Sequence, residues 1–166
     1  QGLWLNHEIN QLCATHELTQ ELIALFPKQL TSIAADLMFI SFDYYLAFYW
    51  EEYHHLSLPD FSQKAYSELA EFAAQSDVYH PQPCLDIIAD MRRQDWLNGY
   101  ATPKGIQQAL TQRAKGHPHS ALFNGADKIL AQMQIETETA FRTFYPQLMA
   151  YTRIWSRKTP SDYLPE

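Results

Sequence analysis

Between Ile33 and Trp50 the chain is apolar at almost every position and carries no turn signal. The run is about as long as a membrane span. It also holds Asp36 and Asp43, each of which costs roughly 2.5–3.5 kcal/mol near a bilayer centre. A helix surrounded by other helices suits it better than membrane insertion. Its Tyr, Phe and Ile content would also suit strands, but the run is far longer than an ordinary strand. We therefore expect one long helix over residues 28–55, and an all-α chain built around it.

The remaining segments agree. Helices are expected over 3–16 and 17–26, with Pro27 marking a boundary because proline disfavours helix in the residue before it. Ser57-Leu58-Pro59-Asp60 reads as a turn and helix start, with Phe61, Ala65, Leu69 and Phe72 as the apolar stripe of a helix ending near Gln75. A loop over 76–83 leads to a helix over 84–98 that turns Cys84, Ile87, Ile88 and Met91 inward. Thr102 is a good N-cap and Pro103 suits a first helical position, so a short helix runs from there towards Gly116. A loop covers 117–125. In the last helix Ile129, Met133, Ala140, Phe144, Leu148, Tyr151 and Trp155 recur at three- and four-residue spacing, and Pro146 should kink it. No segment alternates with period two for long enough to be a strand. The expected architecture is an irregular bundle of about seven helices, one domain over 1–157 with a tail over 158–166.

Composition narrows the function classes. With 46% apolar and 19% charged residues, the chain can bury a core and is not disordered. It has five glycines and no Gly-x-Gly-x-x-Gly or Walker-type loop to cradle a phosphate. Cys13 and Cys84 are too few for a disulfide framework, so buried thiols in a reducing, cytoplasmic compartment are expected. Gln1 is not an initiator methionine, which leaves room for an upstream segment. Residues 1–91 hold thirteen acids and two bases, a net −11, while residues 92–166 hold six acids and ten bases, a net +4. This reads either as ordinary solvated faces or as a polarised domain whose basic half meets an anionic partner. Nucleic acid is a poor candidate, because the total charge is −7 and no binding motif is present.

Several residues invite a chemical reading. Glu51 and His54, and Glu52 and His55, have the Glu-x-x-His spacing of di-iron bundles, but such sites need that pair on two helices plus further glutamates. A solvated helix end is the plainer reading. Asp43 lies among Phe42, Tyr44, Leu46 and Phe48, where a buried carboxylate is costly unless paired, hydrogen-bonded or metal-bound. It is either a hydrogen-bonded structural aspartate or a metal ligand or catalytic carboxylate, and Asp36 shares its helix face. His16 could approach that helix. His80, His117 and His119 read as surface residues. Arg92 and Arg93 beside Trp96 suit an anion-facing patch or a salt-bridged helix face.

Asp43-x-x-Leu46-Ala47-x-x-Trp50, then Met91-Arg92-x-x-Asp95-Trp96-Leu97-x-x-Tyr100, then Gly105-Ile106 with Ala109-Leu110, then Phe144-Tyr145-Pro146 occur in this order at fitting distances. In these motifs the chain resembles the acyl carrier protein phosphodiesterase family over about residues 2–155. The resemblance implies an all-helical fold related to HD-type phosphohydrolases. It implies removal of 4′-phosphopantetheine from holo-acyl carrier protein by metal-assisted hydrolysis, usually with manganese. It also implies Asp43 and His16 as catalytic groups and metal ligands, with His7, one position from the family's His, as a substitute ligand. Arg92, Arg93, Lys104 and Arg113 are the basic side chains expected to meet the carrier protein.

The family pattern Gly-Ile-x-Leu-His-Arg-x-Ile-Asp, followed by Thr-Asp-x-His, is only partly kept. Asn6, His7, Asn10 and Ala14 stand where the family has His, Arg, Asp and Asp, and Tyr44 stands where it has the His after Asp43. His16 and Asp43 match. The family also has an N-terminal stretch with polar site residues ahead of anything in this chain. Three functions follow: an active phosphodiesterase with a rebuilt site, a silenced relative that still binds a carrier protein, or an unrelated helical interaction protein.

Overall fold

A computed structural model describes residues 2–74 and 81–155, with side chains over 5–74 and 81–154. Among these residues the chain is all-α: ten α-helices and two 3-10 turns, with no strand. No helix among them is long and apolar enough to cross a membrane. The expected tail over 158–166 and His80 lie outside the described residues. The chain divides into two compact units, residues 1–39 with 118–166, and residues 40–117.

The first unit holds α1 (Gly2–Thr15), α2 (Glu17–Leu25), a 3-10 turn (Lys28–Ile33) and the start of α3 (Ala34–Phe48). A second 3-10 turn (Ser120–Phe123), α9 (Ala126–Gln132) and α10 (Gln134–Trp155) complete it. Helix α10 packs on α1, α2 and α9. Its buried stripe is Thr137, Phe141 and Phe144, spaced four and three apart so that they share one face. Thr137 hides its hydroxyl by donating to the Met133 carbonyl at 2.8 Å. Leu22, Phe26, Ile33, Leu37 and Phe123 are buried in the same unit. Helix α10 continues through Pro146, which is exposed.

The second unit holds α3 from Ile40 onward, α4 (Trp50–Tyr53), α5 (Leu58–Ala73), α6 (Gln82–Gln94), α7 (Trp96–Gly99) and α8 (Pro103–Ala114). Helix α5 packs on α6 and α7, and α7 packs on α8. Ser57 starts α5 by accepting from the Asp60 amide at 3.2 Å. Thr102 starts α8 by accepting from the Gly105 amide at 3.1 Å. Both hydroxyls satisfy amide groups that a helix start leaves without a partner.

The expected seven helices are more finely divided. The run over 28–55 opens as a 3-10 turn, and Tyr49 leaves helical geometry between α3 and α4. The helix expected over 84–98 ends at Gln94, because Asp95 adopts a left-handed backbone with φ 50°. That turn is held by side chains. Asn98 Nδ2 donates to both Asp95 carboxylate oxygens, at 2.9 and 2.8 Å, and the Tyr66 hydroxyl accepts from the Leu97 amide at 2.9 Å. Cys84 and Ile87 do not turn inward as expected. They are exposed, while Leu85, Ile88 and Met91 are half-buried. On α5 the inward stripe is Ser62 and Tyr66 rather than Phe72, which is 49% exposed. Cys13 is the buried thiol, and both cysteines are free.

Candidate functional site

Within the second unit, α3, α7 and α8 enclose a cavity of about 300 Å³. Its depth depends on the contact between α7 and α8. A Cβ at Gly105 would lie 1.9 Å from the Gly99 carbonyl oxygen, so only glycine lets the start of α8 sit against the end of α7. From there α8 presents Gly105, Gln108, Ala109, Gln112 and Arg113 to the cavity. These positions are three and four apart, one face of a helix. Ile40 and Asp43 form the α3 wall, and Trp96 with Tyr100 the α7 wall.

The charged groups of this cavity are Asp43 and Arg113. Asp43 was expected buried; its surface instead opens into the cavity, while protein atoms crowd its remaining sides. That crowding removes water from the carboxylate and raises its pKa from 3.8 to about 6, and the Arg113 charge opposes the rise. Tyr100 is pushed upward too, first by desolvation and then by the Asp43 charge, with Arg113 again opposing. Tyr100 therefore stays protonated near neutrality and is available as a donor. The cavity thus combines a carboxyl group that titrates near neutrality, a permanent cation, a phenol and two amides. Such a set can hold an anionic oxygen and move a proton beside it.

The other expected site residues are placed as follows. His16 is half-buried in the first unit as the N-cap of α2, its Nδ1 accepting from the Leu18 amide at 3.3 Å. Its ring stands edge-on to Phe144 at 5.0 Å. His7 is exposed on α1, and so are Asn6, Asn10 and Ala14, which share one stripe of that helix. Arg92, Arg93 and Lys104 are exposed in the second unit. Arg93 pairs with Asp90, and both arginines border a groove separate from the cavity. Arg113 alone of the four expected partner residues lines the cavity.

His54 is occupied at the end of α4: its Nδ1 accepts from the Leu56 amide at 3.1 Å, and its ring packs on Trp50 and Phe61. His117 is half-buried and His119 exposed. Among the described residues no three His, Cys, Asp or Glu side chains converge to hold a metal ion. The expected manganese therefore finds no three-ligand cage among them.

Trp96 and Tyr100 stand in the motifs that carry the resemblance but are not among the expected site residues, and Gln108 and Gln112 belong to no motif. On α8 the available signal is the three- and four-residue spacing that links Gly105, Gln108, Ala109, Gln112 and Arg113. It marks one face of α8 but not what that face meets.

The chain matches the family described as acyl carrier protein phosphodiesterase over residues 1–148. An acyl carrier protein phosphodiesterase of Photorhabdus laumondii is 25% identical over 149 residues, covering 89% of this chain and 73% of that protein. One of Serratia proteamaculans is 24% identical over 149 residues, covering 89% of this chain and 75% of its own length. No solved structure matches.

Proposed function

Since the chain belongs to the acyl carrier protein phosphodiesterase family, we propose that it hydrolyses the phosphodiester joining 4′-phosphopantetheine to an acyl carrier protein, and that the α3–α7–α8 cavity receives this linkage. The observation that carries the reading is the shared cavity of Asp43 and Arg113. A phosphodiester brings one negative charge to the site, and charge develops further on its oxygens as water attacks phosphorus. Arg113 offers a permanent, fork-shaped donor to those oxygens. Tyr100 with Gln108 and Gln112 can orient the same group.

Asp43 supplies the proton chemistry. With a pKa of about 6, both of its forms are populated near neutrality. The ionised form takes a proton from the attacking water. Once protonated, it can return that proton to the departing oxygen. The water oxygen ends on phosphorus, and the bond to the leaving oxygen breaks. Manganese is included in the test because the resemblance implies it, not because the described residues of this cavity offer it a set of ligands.

A second reading keeps the carrier protein as partner and drops the hydrolysis. It is favoured by Asn6, Asn10, Ala14 and Tyr44 standing where the family pattern has ligating groups. The two separate on holo-acyl carrier protein incubated with the chain, with and without manganese. Loss of the phosphopantetheine mass supports hydrolysis, and binding of an unaltered carrier supports the second reading.

A further inference from the structure

The second unit carries a groove of about 610 Å³ that plays no part in the cavity chemistry. Ala70, Ala73 and Ala74 of the α5 side face Leu85, Ile88 and Ala89 of α6 across it. The alanines leave a trough where larger side chains would close the gap between the two helices. Arg92 and Arg93 stand along it in the last turn of α6, and among the described residues no acidic side chain lines it. Arg92 is exposed, whereas Arg93 shares its charge with Asp90. Helix α6 then passes through the Asp95 turn directly into Trp96, which lines the cavity. The groove and the cavity are thus joined by one short stretch of chain.

Resting on the reading that the substrate is a carrier protein, we propose that this groove seats an acidic amphipathic helix of that protein and so presents its prosthetic group to the cavity. An apolar trough takes the greasy face of a helix through anchors three and four residues apart. The bordering arginines select carboxylates on its flank and set its orientation. A peptide added as a strand would need an open sheet edge, and a polyproline segment an aromatic-lined groove; the described residues form no sheet, and none of those lining this groove is aromatic. A nucleic acid is disfavoured by the acidic chain as a whole.

The test uses the full chain with holo- and apo-acyl carrier protein. Arg92→Glu reverses the charge without freeing Asp90 from its partner. Ala73→Trp fills the trough and leaves the charge alone, with folding checked by circular dichroism. Each variant should raise KM for holo-carrier about tenfold at unchanged kcat and weaken binding of apo-carrier, which has no prosthetic group, by a similar factor. The Arg92→Glu effect should shrink in high salt. Unchanged KM and unchanged apo-carrier binding in both folded variants would overturn the groove while leaving hydrolysis intact. Absent turnover with carrier binding that Arg92→Glu weakens would sink hydrolysis and support the groove. A wild type that neither binds nor cleaves the carrier would overturn both.

Discussion

Arg113 lines the same cavity as Asp43, and its charge holds the Asp43 pKa below where desolvation alone would put it. The pair makes a pH prediction with a definite sign. Ionised Asp43 is the base, so kcat/KM should fall as pH drops through about 6. Arg113→Gln removes the opposing charge, so the same limb should move to higher pH as well as lower the rate. A pH–rate profile of wild type and Arg113→Gln checks both. An acid limb that stays in place in the variant would separate the two residues.

The same shift predicts how stability depends on pH. Folded Asp43 titrates at about 6, against an ordinary value of 3.8. Between these values the folded state binds more protons than the unfolded state, so this group's contribution falls as pH rises from about 4 to 6. Asp43→Asn should flatten that slope and melt at or above the wild-type temperature at pH 7. Thermal melts across pH 4–7 decide this, and a variant less stable than wild type at pH 7 would contradict it.

Gly105→Ala places a methyl group against the Gly99 carbonyl. The start of α8 must move away from α7, at a cost of about 1–3 kcal/mol as in other overpacked sites. Turnover should fall together with the melting temperature, because the same shift displaces Gln108, Gln112 and Arg113. Urea unfolding and kcat/KM measured on one preparation test the coupling.

Tyr66 holds the Asp95 turn from α5. Tyr66→Phe removes the acceptor for the Leu97 amide, which should cost about 1 kcal/mol. Urea unfolding reads the loss.

His16 separates a capping role from a catalytic one. His16→Asn keeps an N-cap acceptor, whereas His16→Ala loses it at a cost of about 0.5–2 kcal/mol. If capping is its whole contribution, the Asn variant keeps both stability and turnover. Normal stability with a large loss of kcat in that variant would make His16 catalytic.

The fold class was legible because one long apolar run without a turn signal leaves little choice but a buried helix. Caps were legible too: Ser57 and Thr102 start helices as their side chains allow. The inner faces were harder. Successive residues on a helix differ by about 100°, so a small phase error on α6 was enough to turn Cys84 and Ile87 the wrong way. The end of α6 was hidden because a non-glycine residue rarely adopts positive φ, and Asp95 does so with help from Tyr66, thirty-one positions before Leu97. At the site, Asp43 stood out as a carboxyl group in an apolar run, and Arg113 was marked only as a partner contact. Their common cavity depends on α7 meeting α8 through Gly99 and Gly105, a tertiary contact with no local signature.

Intact-mass analysis of holo-acyl carrier protein incubated with wild type and Asp43→Asn, each with and without manganese, tests the central claim most directly. Hydrolysis through the cavity predicts loss of the phosphopantetheine mass with wild type and an unchanged carrier mass with the folded Asp43→Asn variant. Undiminished cleavage by that variant, or an unaltered carrier with wild type under both metal conditions, would contradict it.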